Sequence, residues 1–299
     1  MLTRIGRFFN EHKFKLLLLA CWIVLLSVQP NLYDLLDEYV SFVFLGVLGA
    51  IFANSTGAGG GVVFVPFFNQ LALSSQTIVA TSFAIQCCGM TAGALTWYRH
   101  YRASHKLDPQ WSMMPKGLSY TVPFSIAGIL FAQFAFGHYT DAVQNSLHLY
   151  FGLFSIALAV CIYGSIPLMK RNTFLTALLP IDIVALCMIA LGGGVITAWL
   201  SVGVGELVAV YLILRGFNIT FAIALAVILS AMSVWAAIVY HLFISQAIYW
   251  QIVLFAGAGA VIGGMIAKHV VLFFSPKRLK IFFATWVMVM GLAGLPIFP

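Results

Sequence analysis

Asn54-Ser55-Thr56-Gly57-Ala58-Gly59-Gly60-Gly61 sits near the start of a 60-residue stretch, Tyr39 to Tyr98, that carries no charge. Four glycines in five positions make a poor helix interior. A run this long without charge is nevertheless the mark of membrane-buried chain, and a spanning helix needs about 20 apolar residues to cross roughly 30 Å of hydrocarbon. The glycines therefore read as a deliberate break at membrane depth. Irregular backbone is tolerated there only where it is buried in protein or lines a cavity.

The rest of the chain has the same character. Of 299 residues, 15 are Lys or Arg and 8 are Asp or Glu, 62% are hydrophobic, and the mean hydropathy is +1.03. No water-soluble fold has interior enough for that much apolar surface. This excludes a cytosolic enzyme, a disulfide-stapled secreted domain and a disordered chain. Gly216 to Ala267 is a second chargeless stretch, of 52 residues. Runs such as Phe221–Ile228 do not alternate as barrel strands do. We expect an all-α polytopic membrane protein with helices at about 14–30, 39–54, 61–73, 76–98, 118–136, 143–165, 177–200, 206–215, 219–242, 249–271 and 281–297. The first is an ambiguous element. Leu16–Val28 behind a basic segment also fits a cleaved signal sequence, although Ser27–Pro30 offers no small-residue cleavage site.

With a cytoplasmic N-terminus, every basic residue falls on one side of the membrane. Arg99–Lys116, Lys170–Arg171, Arg215 and Lys268–Lys280 are then inside. Asp34, Asp37, Glu38 and Asp141 are outside, as is the C-terminus. The net charge of +7 is thus an orientation code rather than a nucleic-acid face. Trp97, Trp111, Tyr249 and Trp250 suit the membrane interface. The five cysteines all fall in expected spans and suggest no disulfide framework.

A second break, Ser201-Val202-Gly203-Val204-Gly205-Glu206, lines up with residues 55–60 under a shift of 146, which also brings Gly46 onto Gly192. Each break is followed by a short apolar helix, a turn and a long helix. The chain divides into an N-terminal segment with an extra helix (1–38), a first membrane repeat (39–170) and a second, inverted repeat (171–299), together one transport unit. Each repeat holds five helical segments, an odd number. The copies therefore enter the membrane from opposite sides, the plan of many secondary transporters.

A helix that starts after a break aims unpaired N–H groups and a positive dipole end at the cavity. Two such ends can bind a small anion without a buried cation. Candidate substrate contacts are Asn54, Ser55, Thr56, Gly57, Gly59, Gly60 and Gly61 in the first break, Ser201, Gly203 and Gly205 in the second, and Thr81 and Ser82 on the following helix. Thr81, Ser82, Gln86, Ser230 and Ser233 could line the pathway or bond within their own helices. The alternative for any glycine is close helix packing, the reading preferred for Gly257, Gly259, Gly263 and Gly264. Glu206 and Asp182 are the acids inside spans and the proton-coupling candidates. Asp182 also lies within reach of Lys170 and Arg171 at its helix end.

Gly57-Ala58-Gly59-Gly60-Gly61-Val62-Val63-Phe64-Val65-Pro66 resembles the glycine-rich, proline-terminated signature of the TauE/SafE family of sulfite and organosulfur-anion exporters. Ala80-Thr81-Ser82 and Ser275-Pro276-Lys277-Arg278-Leu279 resemble further parts of it. The resemblance implies a duplicated helical permease for small inorganic or organosulfur anions, seated in a bacterial inner membrane. The second half departs from the pattern: Glu206 stands opposite Gly60, and Leu212 opposite Pro66. An ionised Glu206 would repel an anion, whereas a protonated one could donate a hydrogen bond to it. No metal, cofactor, catalytic or nucleic-acid motif is present. The lipid bilayer is the implied surrounding, and a homo-oligomer is compatible. The readings that compete with a transporter are an uncoupled anion channel and a membrane assembly factor.

Overall fold

The computed structural model describes residues 19–71, 73–135, 146–167, 175–293 and 295. Within them the order is α1 (Leu32–Tyr39), α2 (Ser41–Thr56), α3 (Gly61–Asn69), α4 (Ser75–His100), α5 (Met114–Ala135), α6 (Leu147–Ser165), α7 (Pro180–Leu200), α8 (Val204–Arg215), α9 (Ile219–Tyr240), α10 (Trp250–Phe273) and α11 (Pro276–Ala293). No strand occurs among the described residues. This is the expected all-α polytopic membrane fold, for a chain in hydrocarbon must satisfy its backbone within each segment. α4, α5, α7, α9 and α10 are each long and apolar enough to cross a membrane. α1 and α2 qualify together as one span bent by 46°. α4 and α9 each run on into a single π turn, Tyr101–His105 and Tyr240's neighbour His241–Ser245.

Two segments read as loop are helical. The acidic segment before α2 is helical rather than a loop. Leu35, Leu36 and Tyr39 share one face and pack on the core, leaving Asp34, Asp37 and Glu38 exposed. Asp34 in the first turn also complements the helix dipole. Likewise, α11 begins at Pro276, which as a first helical residue needs no N–H partner. Lys277, Arg278 and Lys280 thus lie on a helix, and Lys280 is buried. Of the expected first helix, residues 19–27 are helical, and the Trp22 indole donates to the Leu254 carbonyl of α10 at 2.8 Å. Residues 14–18, Asp141, Lys170 and Arg171 lie outside the described residues, as does the His148 side chain.

The helices pair reciprocally across residue 170. α2 packs along α10 and α5 along α7. α4 crosses α9 and α10, α9 also meets α5, and α6 lies on α11. α4 and α9 form the centre: 72% of the apolar window of each is buried, against 33% for α5. The two longest seams have no room for side chains. A Cβ at Gly46 would strike the Ala256 carbonyl, and at Gly259 or Gly263 the carbonyls of Val43 or Val47. Between α5 and α7, Gly128 and Gly194 approach the carbonyls of Leu191 and Ser125 in the same way. Association in lipid relies on this close packing, because lipid tails are as apolar as Leu. Gly192, matched to Gly46 by sequence shift, faces open space, so Gly194 makes the corresponding contact. Outward faces carry Phe131, Phe134, Met188, Trp235 and Phe243, while Ser82, Gln86, Ser125 and Ser233 are turned inward and buried.

Candidate functional site

α2 ends because Gly57 takes a left-handed conformation (φ 82°), which glycine adopts without steric cost. Thr56 secures the bend: its hydroxyl donates to the Phe52 carbonyl at 2.7 Å and accepts the Ala58 N–H at 3.2 Å. The chain then turns through Gly59 and Gly60 into α3. The second break is built similarly. α7 stops at Ser201, itself left-handed (φ 60°), and Gly203 (φ 149°) leads into α8. The Thr197 hydroxyl donates to the Gly193 carbonyl at 2.7 Å and accepts the Val204 N–H at 2.8 Å.

The two breaks touch in the core. A Cβ at Gly61 would collide with the Ser201 carbonyl, and one at Gly205 with the Gly57 carbonyl. Two side chains tie them together. Glu206 Oε1 accepts the Gly59 N–H at 2.7 Å and its Oε2 accepts the Gly203 N–H at 2.8 Å. Gln86, from α4, accepts the Gly60 N–H at 2.8 Å through Oε1. Its Nε2 donates to the Ser201 hydroxyl at 2.7 Å, to the Ser201 carbonyl at 3.2 Å and to Ser82 Oγ at 3.1 Å. The Ser201 hydroxyl completes the ring by donating to Ser82 at 2.9 Å. Ser82, Ser201 and Glu206 are each 0% exposed.

Thr56, Gly57, Gly59, Gly60, Gly61, Ser82, Ser201, Gly203, Gly205 and Glu206 thus come together. Four amides expected to be unpaired are bonded: Gly59, Gly60, Gly203 and Val204 each donate to a side-chain oxygen. Burial away from water explains it, since an unpartnered N–H costs about as much as a lost hydrogen bond. Other candidates point elsewhere. Asn54 donates to the Ala50 and Gly89 carbonyls, and Ser55 to that of Ala267. Thr81 accepts the Tyr249 N–H between α9 and α10. Asp182 is bonded to Arg215, Tyr211 and the Leu179 N–H, joining the start of α7 to the end of α8.

The bridging roles of Gln86 and Thr197 escaped the sequence. Gln86 offered one signal, an amide in the middle of a chargeless span with Ser82 one turn before it. The interface placing of Trp97 and Trp111 is corrected, for both are buried. The Trp97 indole donates to the Asn54 carbonyl at 3.1 Å, which supports the end of α2 from α4. Trp250 does face outward, at 57% exposed. His241 is buried against Phe83, with Nδ1 on the Ser245 hydroxyl. Among the described residues no group of three His, Cys, Asp or Glu could hold a metal.

Two helix breaks meeting in the core of a polytopic helical protein call for comparison with known permeases. Residues 42–294 match the family model described as sulfite exporter TauE/SafE. The chain belongs to the TauE/SafE family. The match runs from the first turn of α2 past the end of α11 and so takes in both breaks, leaving α1 outside it. No curated protein and no solved structure matches the chain. Membership in TauE/SafE makes this an integral membrane protein of an anion-exporter type of transporter.

Proposed function

We propose that this TauE/SafE protein is a secondary transporter that exports small oxyanions, sulfite or an organosulfur anion. The substrate is held between the breaks at 54–61 and 201–206. The observation that carries this reading is the arrangement of Gly59 and Gly203: two backbone N–H groups from separate breaks converge on one anionic group, the Glu206 carboxylate. Backbone amides of this kind stabilise negative charge without a buried cation. Repeats 39–170 and 171–299 are inverted copies that rock about this point, and the exchanged helix pairs are what supports the reading. The N-terminus lies in the cytoplasm and the C-terminus outside a bacterial inner membrane, as the basic residues indicate. Glu206 carries the coupled proton. Protonation converts one of its acceptor oxygens to a donor and releases one amide.

Purified protein in proteoliposomes tests this. Sulfite, thiosulfate, sulfoacetate and taurine are offered with and without a pH gradient. Saturable flux of at least one of them, faster with the gradient, is expected. Glu206→Gln is expected to lose the acceleration by the gradient. Absence of saturable flux for all four would end the transporter reading. Saturable flux indifferent to the gradient in the parent protein would make it a facilitator.

A further inference from the structure

The contacts of Glu206 say more than that a carboxylate lies near an anion site. Its two oxygens lie on one carbon, and each takes an N–H from a different break. That is the bonding a sulfite, sulfonate or carboxylate group would need in the same place. A second polar group lies beside the start of α8: the Ser230 hydroxyl is 3% exposed and finds no hydrogen-bond partner among the described residues. A Cβ on Gly205 would fall on that hydroxyl and on the Gly57 carbonyl. An unpartnered donor is therefore aimed at the N-terminus of α8, the helix that carries Glu206.

We propose that Glu206 is a tethered occupant of the anion site, its carboxylate holding the Gly59 and Gly203 amides until a small oxyanion takes its place. The inference rests on the anion-site reading above and adds the order of events. Two negative groups cannot share one pair of donors, because like charges at contact disfavour one another. Binding and departure of the carboxylate are consequently one exchange. Among the described residues no Lys, Arg or His is bonded to the carboxylate; its oxygens take the N–H groups of Gly59 and Gly203. On α7, which packs against α8, the Asp182 carboxylate is engaged with Arg215 and Tyr211 at the far end of α8 from Glu206. The tether also keeps the empty site intact, since it leaves neither amide unsatisfied in the absence of substrate.

Sulfite binding to detergent-solubilised protein at one fixed pH, measured by calorimetry, tests the exchange. Glu206→Ala removes the competitor and is expected to bind sulfite at least about tenfold more tightly than the parent. Glu206→Gln keeps the shape but only one acceptor oxygen, and is expected to fall between the two. It also carries the test if the alanine variant does not yield monodisperse protein. Equal binding in the folded variants, with the parent binding normally, would show that Glu206 does not compete, and weaker binding that it assists the anion; either would overturn the exchange alone. No binding of sulfite, thiosulfate or methanesulfonate by any form would remove the anion site itself, and the exchange with it.

Discussion

Gly205→Leu is expected to abolish transport while the protein still inserts, and Gly61→Leu to do the same from the other break. At both positions a side chain would have to occupy the volume of a backbone carbonyl in the opposite break, that of Gly57 or of Ser201. A backbone carbonyl cannot turn aside as the end of a flexible side chain can. The breaks must therefore separate, and overpacking of this kind costs about 1–3 kcal/mol or more. Separation takes the Gly59 and Gly203 amides off any shared anion, and misplacement by about 1 Å is enough for a loss on the order of a hundredfold. Flux per inserted molecule in proteoliposomes is the measurement. Gly192→Ala is the control. The site is open, with nothing near an added Cβ, and replacing a mid-helix glycine by alanine is expected to stabilise α7 by about 0.5–1 kcal/mol. Full flux in Gly205→Leu would mean that transport does not need the breaks to touch.

The second large effect concerns Asp182, and it separates clamping from coupling. Its carboxylate is 0% exposed, whereas the Arg215 side chain is 36% exposed. The pair is thus asymmetric. Arg215→Met strands a buried charge and is expected to cost about 3–5 kcal/mol. Asp182→Asn leaves an arginine that can turn toward solvent and retains an oxygen for the Tyr211 hydroxyl, so its expected cost is smaller, about 1–3 kcal/mol. Thermal unfolding in detergent should rank the two variants in that order. The Asp182→Asn protein that remains folded should keep its response to a pH gradient, because Asp182 bonds to the ends of α7 and α8 and to neither break. A folded Asp182→Asn variant that has lost that response would give the coupling role to Asp182 instead of Glu206.

The distribution of success between sequence and structure follows the range of the interactions involved. Helix positions were legible to within a few residues, because they depend on local runs of apolar residues. The segment at 32–39 was misjudged because its three acids read as a loop. Its packing face of Leu35, Leu36 and Tyr39 repeats over barely two turns. Asn54, Ser55 and Thr81 lie near the first break in sequence, but direction around a helix sets their contacts: Asn54 turns to α4, Ser55 to α10 and Thr81 to the α9–α10 connection.

What the sequence determined alone was the class and the weak points. Twenty-three charges in 299 residues leave no option but membrane helices, and glycine clusters mark where those helices break, since both effects act on single residues and their neighbours. Only the tertiary structure decided what fills the breaks. Glu206 reaches Gly59 across 147 residues and Gln86 reaches Ser201 across 115. Such contacts exist only once α2, α4, α7 and α8 are packed and water is excluded. Burial then obliges the Gly59, Gly60, Gly203 and Val204 amides to find an oxygen, and which oxygen lies in reach is set by helix packing and side-chain length.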